Sequence, residues 1–339
     1  MSNLGANVVG LSIDIPCNPS NFEATSLNRF IDDRRVDIRD LAKLKNIIDE
    51  VQPDFIFHLA AQSLVRNSYQ NPLDTISTNA LGSACILETL RDFSKPVIAV
   101  MITSDKAYDN VEWAWGYRET DRLGGKDPYS ASKGMAEIAI RSYVESYFRD
   151  TDCNIRVGIT RAGNVIGGGD WAKNRIVPDC MKSWSKKDPV EIRNPNSTRP
   201  WQHVLEPLSG YLALGASLHE KKDHHGEAFN FGPTTDQSYS VGELINEMSK
   251  FWENVTWNDI SHKNDTLHEA GLLKLNCDKA LSHLNWTSTL EFNDTVRMTV
   301  SWYRNYYQKR DNKSMYEYAI QQVSEYIELA KKKKIEWSI

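Results

Sequence analysis

The chain has 339 residues, of which 40% are hydrophobic and 25% are charged, and its formal net charge is −5. This composition is typical of a soluble globular protein with one large α/β unit or two smaller domains. Basic residues are scattered except for the lysine run at 331–334. The chain therefore predicts no nucleic-acid surface, and we expect the lysine run to be the solvated end of a last helix rather than a lipid anchor.

The cysteines and the first residues bear on the compartment. The five cysteines are odd in number and form no Cys-x-x-Cys pair, which argues against a disulfide framework or a metal site and predicts a reducing compartment. No basic segment followed by an apolar run opens the chain, and no window has the roughly 20 apolar residues of a membrane span. We expect a cytoplasmic protein that binds neither membrane nor nucleic acid.

Apolar runs alternate with helical patterns through the first half of the chain. The runs lack polar alternation, as do strands that are buried on both faces of a sheet. Repeated strand–helix–strand units predict an α/β fold with a doubly wound parallel sheet. The predicted strands are 8–13, 55–59, 97–103 and 155–160, and the predicted helices are 40–51, 72–93 and 128–148.

The pattern changes after residue 160. Glycine and proline predict loops at 163–170 and 194–200. One more strand is predicted at 228–231, with helices at 205–219, 241–251, 292–307 and about 315–334. We predict a sheet domain over 1–165 and 205–232, a smaller α/β substrate domain over 166–204 and 233–312, and a helical tail over 313–339.

The segment 129–133 reads Tyr-Ser-Ala-Ser-Lys at the start of a predicted helix. Residues four positions apart share a helix face, so Lys133 would lie beside Tyr129. An ammonium next to a phenol lowers the pKa of the phenol, which would make Tyr129 a usable base near neutral pH. The pattern alone is weak, because any helix can carry it by chance.

The strand at 97–103 gives this pattern its context. It ends in Ser104, Asp105 and Lys106, at the carboxyl end of a strand, where doubly wound sheets place their chemistry. A hydroxyl, a phenol and an ammonium would then converge, as hydride transfer from a secondary alcohol requires. We therefore predict a catalytic set of Ser104, Asp105, Lys106, Tyr129 and Lys133.

This arrangement of Ser104, Tyr129 and Lys133 resembles the extended short-chain dehydrogenase/reductase family. The stretch 58–62, His-Leu-Ala-Ala-Gln, is similar to the loop on the cofactor side in that family. The stretch 77–82 resembles its central helix, in which an asparagine braces the sheet. The stretch 161–165, Arg-Ala-Gly-Asn-Val, resembles the loop that closes over nicotinamide and substrate diphosphate. The resemblance implies a Rossmann-like NAD-binding domain and NAD as the cofactor.

Within that family the chain is similar to the nucleotide-sugar 4,6-dehydratases of the CDP-glucose branch, from about residue 5 to residue 303. The stretches that carry this similarity are 103–110, 112–119 (Glu-Trp-Ala-Trp-Gly-Tyr-Arg-Glu), 167–172, 192–195 and 199–207 (Arg-Pro-Trp-Gln-His-Val-Leu-Glu-Pro). The resemblance implies that CDP-glucose is converted to CDP-4-keto-6-deoxyglucose by C4 oxidation, loss of water across C5 and C6, and hydride return to C6.

The same resemblance implies a role for each catalytic residue. Tyr129 takes the proton from the sugar O4, Ser104 hydrogen-bonds that oxygen, and Lys133 holds the nicotinamide ribose. Asp105 fits the acid that protonates the leaving C6 hydroxyl. The dTDP-glucose branch has a glutamate base at the next position, whereas this chain has Lys106. The base for the C5 proton stays open, and the alternative is that Lys106 only pairs with Asp105.

Other residues are candidates for the substrate and the cofactor. The diphosphate of a nucleotide sugar favours bidentate hydrogen bonds from arginine side chains. The alternative for each arginine is that it only forms an ion pair at the surface. Asp14 follows a predicted strand and would accept the adenosine ribose hydroxyls while repelling a 2′-phosphate, which favours NAD over NADP; the alternative is an ordinary turn residue. Trp201 either stacks on a ligand or simply packs within the protein. The segment 268–270 is expected to have a structural role. The substrate candidates are Asn164, Arg175, Arg199 and His203. The cofactor candidates are Asp14, Asp37, Ile38, Leu59, Ala60, Ala61, Gln62 and Asn79, with Tyr129 and Lys133.

A Rossmann domain opens with a strand, a Gly-x-x-Gly-x-x-Gly loop and a helix, which bring backbone N–H groups and a helix dipole to the pyrophosphate. The sequence contains no such motif before residue 163. We interpret 4–7 as the tail of the first helix and 8–13 as the second strand, so roughly 30 residues of the usual pattern would be absent. The neighbouring strands would then expose unpaired edges. A late start codon, a fragment and a decayed copy are the explanations, and the intact active-site pattern favours the first.

The main hypothesis is an NAD-dependent lyase that acts on CDP-glucose and serves surface-polysaccharide synthesis, such as that of lipopolysaccharide O-antigen. The alternatives are another nucleotide-sugar dehydratase or a 4-epimerase, and a truncated remnant without catalysis. Members of the family are commonly homodimers through two helices beside the active site, which are 72–93 and 128–148 in this chain.

Overall fold

A computed structural model describes residues 1–150, 153–220, 222–234, 237–261, 272–309 and 314–338. Its helices are α1 (Asn21–Ala24), α2 (Leu41–Val51), α3 (Val65–Gln70), α4 (Pro72–Ile76), α5 (Gly82–Leu90), α6 (Pro128–Tyr143), α7 (Ile176–Ser185), α8 (Leu205–Glu220), α9 (Val241–Ser249), α10 (Asp278–Leu284), α11 (Phe292–Gln308) and α12 (Met315–Lys332). Its strands are β1 (Val9–Ser12), β2 (Asp32–Arg35), β3 (Phe55–His58), β4 (Val97–Ile102), β5 (Ile155–Ala162), β6 (Val165–Ile166), β7 (Val190–Ile192), β8 (Thr198–Arg199), β9 (Gln202–His203), β10 (Ala228–Phe231), β11 (Tyr239–Ser240) and β12 (Trp257–Asp259).

The main sheet is parallel and lies between two helical layers. Its strand order is β10-β5-β4-β3, and each neighbouring pair is parallel. Val97, Ala99 and Met101 of β4 pack into one apolar cluster with α2, α5 and α6, whereas Ile98 and Val100 pack into another with α8. Because both faces are covered by apolar side chains, the strand has no polar alternation. This confirms the predicted α/β class and parallel sheet.

The strand predicted at 8–13 does not join the main sheet. It forms β1, which pairs in parallel with β2 in a separate two-stranded sheet. Among the strands of the described ranges, none pairs with the free edge of β3 or of β1. This arrangement agrees with the expected unpaired edges, and it corrects the expectation that β1 belongs to the same sheet as β3.

Two helices predicted as continuous contain a π turn. The segment predicted at 72–93 consists of α4, a π turn at Ser77–Leu81, and α5. The segment predicted at 128–148 consists of α6 and a π turn at Val144–Phe148. A π turn adds about one residue to a single helical turn, and apolar periodicity read over a whole segment does not locate such a short change.

A second apolar cluster, rich in tryptophan, packs residues of β6, β7, α7, α9 and α11 together, and we call this part of the molecule the smaller lobe. It joins α7, α9 and α11 through Trp171, Trp184, Trp252 and Trp302. Helix α7 was missed because Pro178 lies within it, although a proline in the first turn of a helix costs no hydrogen bond. The two predicted loops also contain β6 and β8, which are each two residues long.

The last helix is confirmed as α12. It begins with a capping box formed by Ser314 and Glu317. The lysines at 331–334, in its last turn and just after it, are exposed. Within the described ranges, no helix is long and apolar enough to cross a bilayer.

The buried carboxyl of Glu206 in α8 binds a side chain of α12. Glu206 accepts hydrogen bonds from the Leu290 N–H at 2.6 Å and from the Tyr326 hydroxyl at 2.9 Å. Burial raises the pKa of Glu206 to about 7 even though these donors lower it. The carboxyl therefore holds its proton more tightly in the folded chain than in the unfolded chain.

We predict that the protonated Glu206 carboxyl stabilises the folded chain fully below about pH 4.5, the ordinary pKa of a glutamate. This stabilisation falls as the pH rises through about 7, the pKa of Glu206 in the folded chain. The Glu206→Gln variant, measured by urea denaturation from pH 5 to pH 8, should show a flatter dependence on pH than the unmodified protein. Glu328→Gln, which changes an exposed carboxyl, is the control and should keep the original slope. Equal slopes in the Glu206→Gln variant and the unmodified protein would contradict the assignment.

Candidate active site

A cleft of about 440 Å³ lies between the carboxyl end of the main sheet and the smaller lobe. The predicted residues that line it are Ser104, Asp105, Lys106, Tyr129, Asn164, Arg175 and Arg199. Most of the residues predicted for catalysis and substrate thus meet in one cavity, as the carboxyl-end rule for parallel sheets requires. Lys133 and His203 are not among the residues that line the cleft.

Strand β4 ends in a short 3₁₀ turn that presents Ser104 and Asp105. The Ser104 hydroxyl caps this turn by accepting the Lys106 N–H at 3.2 Å, and it donates to the Asp105 carboxylate at 3.0 Å. Asp105 is only 3% exposed. Burial raises the pKa of Asp105, whereas Lys106, the Ser104 hydrogen bond and Arg199 lower it. The net rise suits a carboxyl that must deliver a proton.

Gly163 allows the Asp105 carboxyl to sit where it does. A Cβ at position 163 would collide with the carboxylate oxygens of Asp105. The backbone of the loop after β5 therefore closes directly over this side chain, which only a glycine permits.

Lys106 lines the cleft and is partly buried. In the part of the chain that the structure describes, Lys106 forms no ion pair with Asp105, although its charge lowers the pKa of that carboxyl. The geometry gives no support to the alternative in which Lys106 serves only as the ion-pair partner of Asp105.

Tyr129 lies in the first turn of α6, which Asp127 caps by accepting the Ser130 N–H at 2.9 Å. The side chain is 8% exposed. Burial raises the pKa of Tyr129 to about 12, whereas a hydrogen bond with Ser104 and the charge of Arg175 lower it. The prediction of a lowered pKa is therefore wrong, because loss of hydration outweighs the favourable charges.

Lys133 is buried on the inner side of α6. Burial lowers the pKa of Lys133 to about 8, the Glu137 carboxylate raises it, and Tyr129 is not among the groups that shift it. Within the described ranges, the Lys133 ammonium makes no hydrogen bond and no ion pair. A buried ammonium without a partner is unfavourable, so this group is suited to an acceptor that a ligand brings.

The candidates for the adenosine side divide into accessible and internal residues. Asp14 is exposed after β1, and Leu59 is exposed after β3, with Ala60 and Ala61 partly exposed beside it. These four residues sit at the carboxyl ends of parallel strands, where a dinucleotide is bound in folds of this type.

The other adenosine-side candidates are engaged within the protein. Asp37 is held by Arg39, which lowers the pKa of the Asp37 carboxyl through its hydrogen bonds. Ile38 is buried against Gly82. The amide of Asn79 accepts the Gln62 N–H at 2.8 Å and donates to the Ser132 hydroxyl at 2.8 Å. Asn79 therefore braces the loop after β3 against α6, and the structure presents neither Asn79 nor Ile38 to open space.

Two arginines extend into the cleft from the smaller lobe. Arg175 forms an ion pair with Asp170 at 3.0 Å and donates to the Ser63 hydroxyl at 3.1 Å, so it joins the smaller lobe to the loop after β3. Arg199 is buried, and its charge lowers the pKa of Asp105. Both positive charges therefore lie at the end of the cleft that holds the catalytic residues.

The remaining substrate candidates differ in their surroundings. Asn164 lines the cleft with a left-handed backbone, φ 54°. His203 is buried, its Nε2 atom has no partner, and burial lowers its pKa to about 4. Its position gives no support to the predicted substrate contact. The Trp201 indole donates to the Tyr239 carbonyl at 3.1 Å and packs in the tryptophan-rich cluster. The segment 268–270 lies outside the described residues.

Sequence reasoning missed a buried ion pair beneath the site. The guanidinium of Arg161 and the carboxylate of Glu137 form a bidentate pair in which both side chains are fully buried. Glu137 also accepts the Thr103 hydroxyl at 2.7 Å, and Arg161 donates to the Tyr108 hydroxyl at 2.6 Å. The available signal was the spacing of Glu137, which lies on the same face of α6 as Tyr129 and Lys133.

Comparisons with known proteins agree with this geometry. Residues 18–299 match the family model described as GDP-mannose 4,6 dehydratase. The chain belongs to this family. A CDP-glucose 4,6-dehydratase from Salmonella typhimurium is 42% identical over 315 residues, which cover 92% of this chain and 87% of that protein. A dTDP-glucose 4,6-dehydratase from Haemophilus influenzae is 25% identical, over 79% of this chain and 81% of that protein.

Solved structures of related enzymes share the fold. A dTDP-glucose 4,6-dehydratase from Streptomyces venezuelae, solved with NAD, matches with a TM-score of 0.71 at 22% identity and covers 88% of each chain. A UDP-glucuronic acid 4-epimerase from Bacillus cereus, solved with UDP-glucuronic acid and NAD, matches with a TM-score of 0.74 at 20% identity, over 90% of this chain and 93% of that one. These matches identify the Rossmann-like fold of the epimerases and dehydratases.

We predict that Gly163→Ala destabilises the protein by about 1–3 kcal/mol, because the added methyl group overpacks against the Asp105 carboxyl. Urea denaturation measures this loss. Gly232→Ala is the matched control, because a Cβ at that position would lie 3.6 Å from its nearest neighbour, the Cys277 sulfur. A Gly163→Ala variant as stable as Gly232→Ala would contradict the close packing of Asp105.

Proposed function

We propose that this protein converts CDP-glucose to CDP-4-keto-6-deoxyglucose with loss of water, using NAD that it retains through the reaction. The observation that carries this proposal is the buried Asp105 carboxyl beside Ser104 and Tyr129, in one cleft with two arginines suited to a diphosphate. The 42% identity to the Salmonella CDP-glucose 4,6-dehydratase supports the choice of nucleotide sugar.

Residues of the chain fit part of the cofactor. The unpartnered Lys133 ammonium suits the hydroxyls of the nicotinamide ribose, and the exposed carboxylate of Asp14 suits those of the adenosine ribose and disfavours a 2′-phosphate. Leu59, Ala60 and Ala61 would flank it at the end of β3. The described part of the chain contains no glycine-rich cradle for the pyrophosphate. When bound, NAD supplies the oxidant for C4 and the reductant for C6, so no oxidant is consumed overall.

Tyr129 and Ser104 handle the proton of the sugar O4 in this proposal. Ser104 lies close enough to Tyr129 to lower the pKa of the phenol, so both oxygens can meet the same hydroxyl. With a pKa near 12, Tyr129 is a poor base at neutral pH until positive charge is placed beside it. Arg175 lowers this pKa, but its charge does not offset the effect of burial.

Asp105 and Lys106 handle the elimination. Asp105 donates its proton to the C6 hydroxyl, which leaves as water, and the raised pKa of this carboxyl favours the protonated form that the step requires. We assign the C5 proton to Lys106, which lines the same cleft next to Asp105. Lys106 can accept that proton only as a neutral amine.

A 4-epimerase is the competing enzyme. Epimerisation needs a hydroxyl, a phenol and an ammonium, but it needs no acid for a leaving hydroxyl. The burial of Asp105 against Ser104 and Gly163 therefore favours dehydration. A UDP-glucose 4-epimerase from Mycoplasma pneumoniae is 22% identical over 87% of this chain, well below the CDP-glucose 4,6-dehydratase. The intact catalytic set in one cleft also disfavours a remnant without catalysis.

We further propose a cytoplasmic homodimer whose product serves surface-polysaccharide synthesis. Exposed apolar side chains on the two predicted helices support the dimer: Leu73 is 80% exposed and Ile138 is 61% exposed, with Leu81, Met135 and Tyr147 nearby in sequence on the same segments. Exposed apolar side chains that form a continuous patch would suit a protein interface.

We predict that Tyr129→Phe lowers kcat for CDP-glucose by about 100- to 10,000-fold, because the group that takes the O4 proton is removed. Formation of the 4-keto product, followed by absorbance, measures the loss. Tyr143→Phe changes a tyrosine farther along α6 whose hydroxyl bonds Glu88 at 2.9 Å, and it should keep normal turnover. Near-normal turnover by Tyr129→Phe would remove the assignment.

We predict that Asp105→Asn impairs loss of water more than oxidation at C4, because the amide cannot deliver the proton to the C6 hydroxyl. In a single turnover, reduced nicotinamide should therefore accumulate to a higher level than in the unmodified enzyme. Absorbance of the reduced cofactor and the rate of product formation are recorded together. Equal slowing of both signals would argue against Asp105 as the acid.

A further inference from the structure

A second, smaller cavity also reaches the Asp105 carboxyl. Its volume is about 10 Å³, and its lining includes Asp105, Gly163 and Gln202. A cavity of this size admits one water molecule where polar groups face it. Asp105 is 3% exposed and Gln202 is 2% exposed. The cavity therefore joins two polar side chains that are both shielded from bulk solvent.

The orientation of the Gln202 amide is fixed by two backbone carbonyls. Its Nε2 atom donates to the Gly163 carbonyl at 3.0 Å and to the Phe231 carbonyl at 3.0 Å. Only the N–H groups can meet these two acceptors, so Oε1 is the end of the amide that stays available. Within the described ranges, no group donates to this buried oxygen. A buried acceptor without a donor is unfavourable, so Oε1 is suited to a donor in the cavity.

Gln202 and Asp105 both lie against Gly163. The Gln202 amide binds the Gly163 carbonyl, and the Gln202 backbone N–H donates to the Asn164 carbonyl at 3.2 Å. A Cβ at position 163 would collide with the Asp105 carboxyl. The backbone that closes over Asp105 is thus held by Gln202 through one side-chain and one main-chain hydrogen bond.

A protonated carboxyl is the kind of donor that this oxygen lacks. An ionised carboxylate only accepts hydrogen bonds, whereas a protonated carboxyl has one O–H group to donate. A water in the cavity can accept that O–H and donate to Gln202 Oε1. Because a hydrogen bond made by the neutral form of an acid favours that form, the arrangement suits an Asp105 that keeps its proton until the C6 hydroxyl takes it.

We propose that Gln202 is a positioning residue for Asp105, which holds the Gly163 backbone over the carboxyl and, through one water in the small cavity, accepts the hydrogen bond of the protonated acid. The inference deepens the proposed function and rests on it for the role of Asp105 as the acid. In the competing arrangement Gln202 only joins the loop after β5 to the end of β10, and its loss lowers stability without changing Asp105.

The test titrates Asp105 in the protein without substrate, by carbon-13 NMR of carboxyl-labelled aspartate. The Asp105 signal is assigned by its loss in Asp105→Asn. In Gln202→Met, which has an apolar side chain of similar length, the midpoint of the Asp105 titration should move down by about one pH unit, because the neutral carboxyl loses its hydrogen-bond acceptor. An unchanged or higher midpoint overturns the inference.

Gln202→Glu separates the acceptor from a general loosening of the loop. A buried glutamate keeps its proton, so it retains one donor and one acceptor oxygen at the length of glutamine. The Asp105 midpoint should therefore not fall in this variant. A fall equal to that in Gln202→Met would mean that only the packing of the Gly163 backbone matters, and it would overturn the proposed hydrogen bond.

Gln237→Met is the matched control. Gln237 lines the same cavity and is also buried, but its Nε2 atom donates to the Glu291 carboxylate at 2.9 Å. The exchange removes an amide of the same size from the same wall, and the Asp105 midpoint should stay where it is; an equal fall in this variant would overturn the inference. The other ionisable groups around Asp105 and the cavity are the same in every variant. They are Lys106, Tyr129, Arg199, Tyr211 and Lys274.

A crystal structure of the unmodified protein tests the same contact without turnover. It should show one water within about 3.2 Å of both Gln202 Oε1 and an Asp105 oxygen, and its absence from well-defined density overturns the inference. If CDP-glucose is not converted, but the water is present and the Asp105 midpoint falls only in Gln202→Met, the proposed function fails and the hydrogen bond between Gln202 and Asp105 stands.

Discussion

The fully buried ion pair of Arg161 and Glu137 fixes the relative positions of the strands and the helix that carry the site. Arg161 belongs to β5 and Glu137 to α6, and Glu137 also takes the hydroxyl of Thr103 just beyond the end of β4. A buried pair of this kind adds little net stability, but the loss of one partner leaves a charge without hydration, at a cost of about 3–5 kcal/mol. The pair therefore acts as a geometric constraint that tolerates little displacement of the helix or of either strand.

The residues proposed for catalysis lie a short distance along the chain from this constraint. Ser104 follows Thr103 directly, and Tyr129 lies two helical turns before Glu137 on the same face of α6. Gly163 closes over Asp105 just after β5 ends at Ala162. The acid, the hydroxyl and the phenol thus come from three separate elements that one ion pair ties together, which explains how loops and helix ends can hold a precise cleft.

Apolar runs and helix-start signals predicted most of the fold because they record burial directly. Strands β4 and β10 begin where the sequence indicates, because a strand covered on both faces must be apolar. Helix α6 also begins as predicted, because Pro128 favours the first position of a helix. The pairing of β1 with β2 rather than with the main sheet depends on which edges meet, and no local pattern carries that. Most of the residues predicted for catalysis line one cleft, whereas Glu137 and Arg161 were not predicted, because two buried charges reveal their pairing only in three dimensions.

Burial also explains why the lowered pKa predicted for Tyr129 is wrong, and it acts on Asp105 in the same direction. Spacing along a helix shows which groups share a face, but it does not show how much water each group loses. Lost hydration raises the pKa of both side chains, since both are neutral when protonated. For an acid that must keep its proton until the hydroxyl leaves, the shift is favourable. For a base it is unfavourable, so the Ser104 and Arg175 groups that lower the pKa of Tyr129 oppose a larger effect of burial.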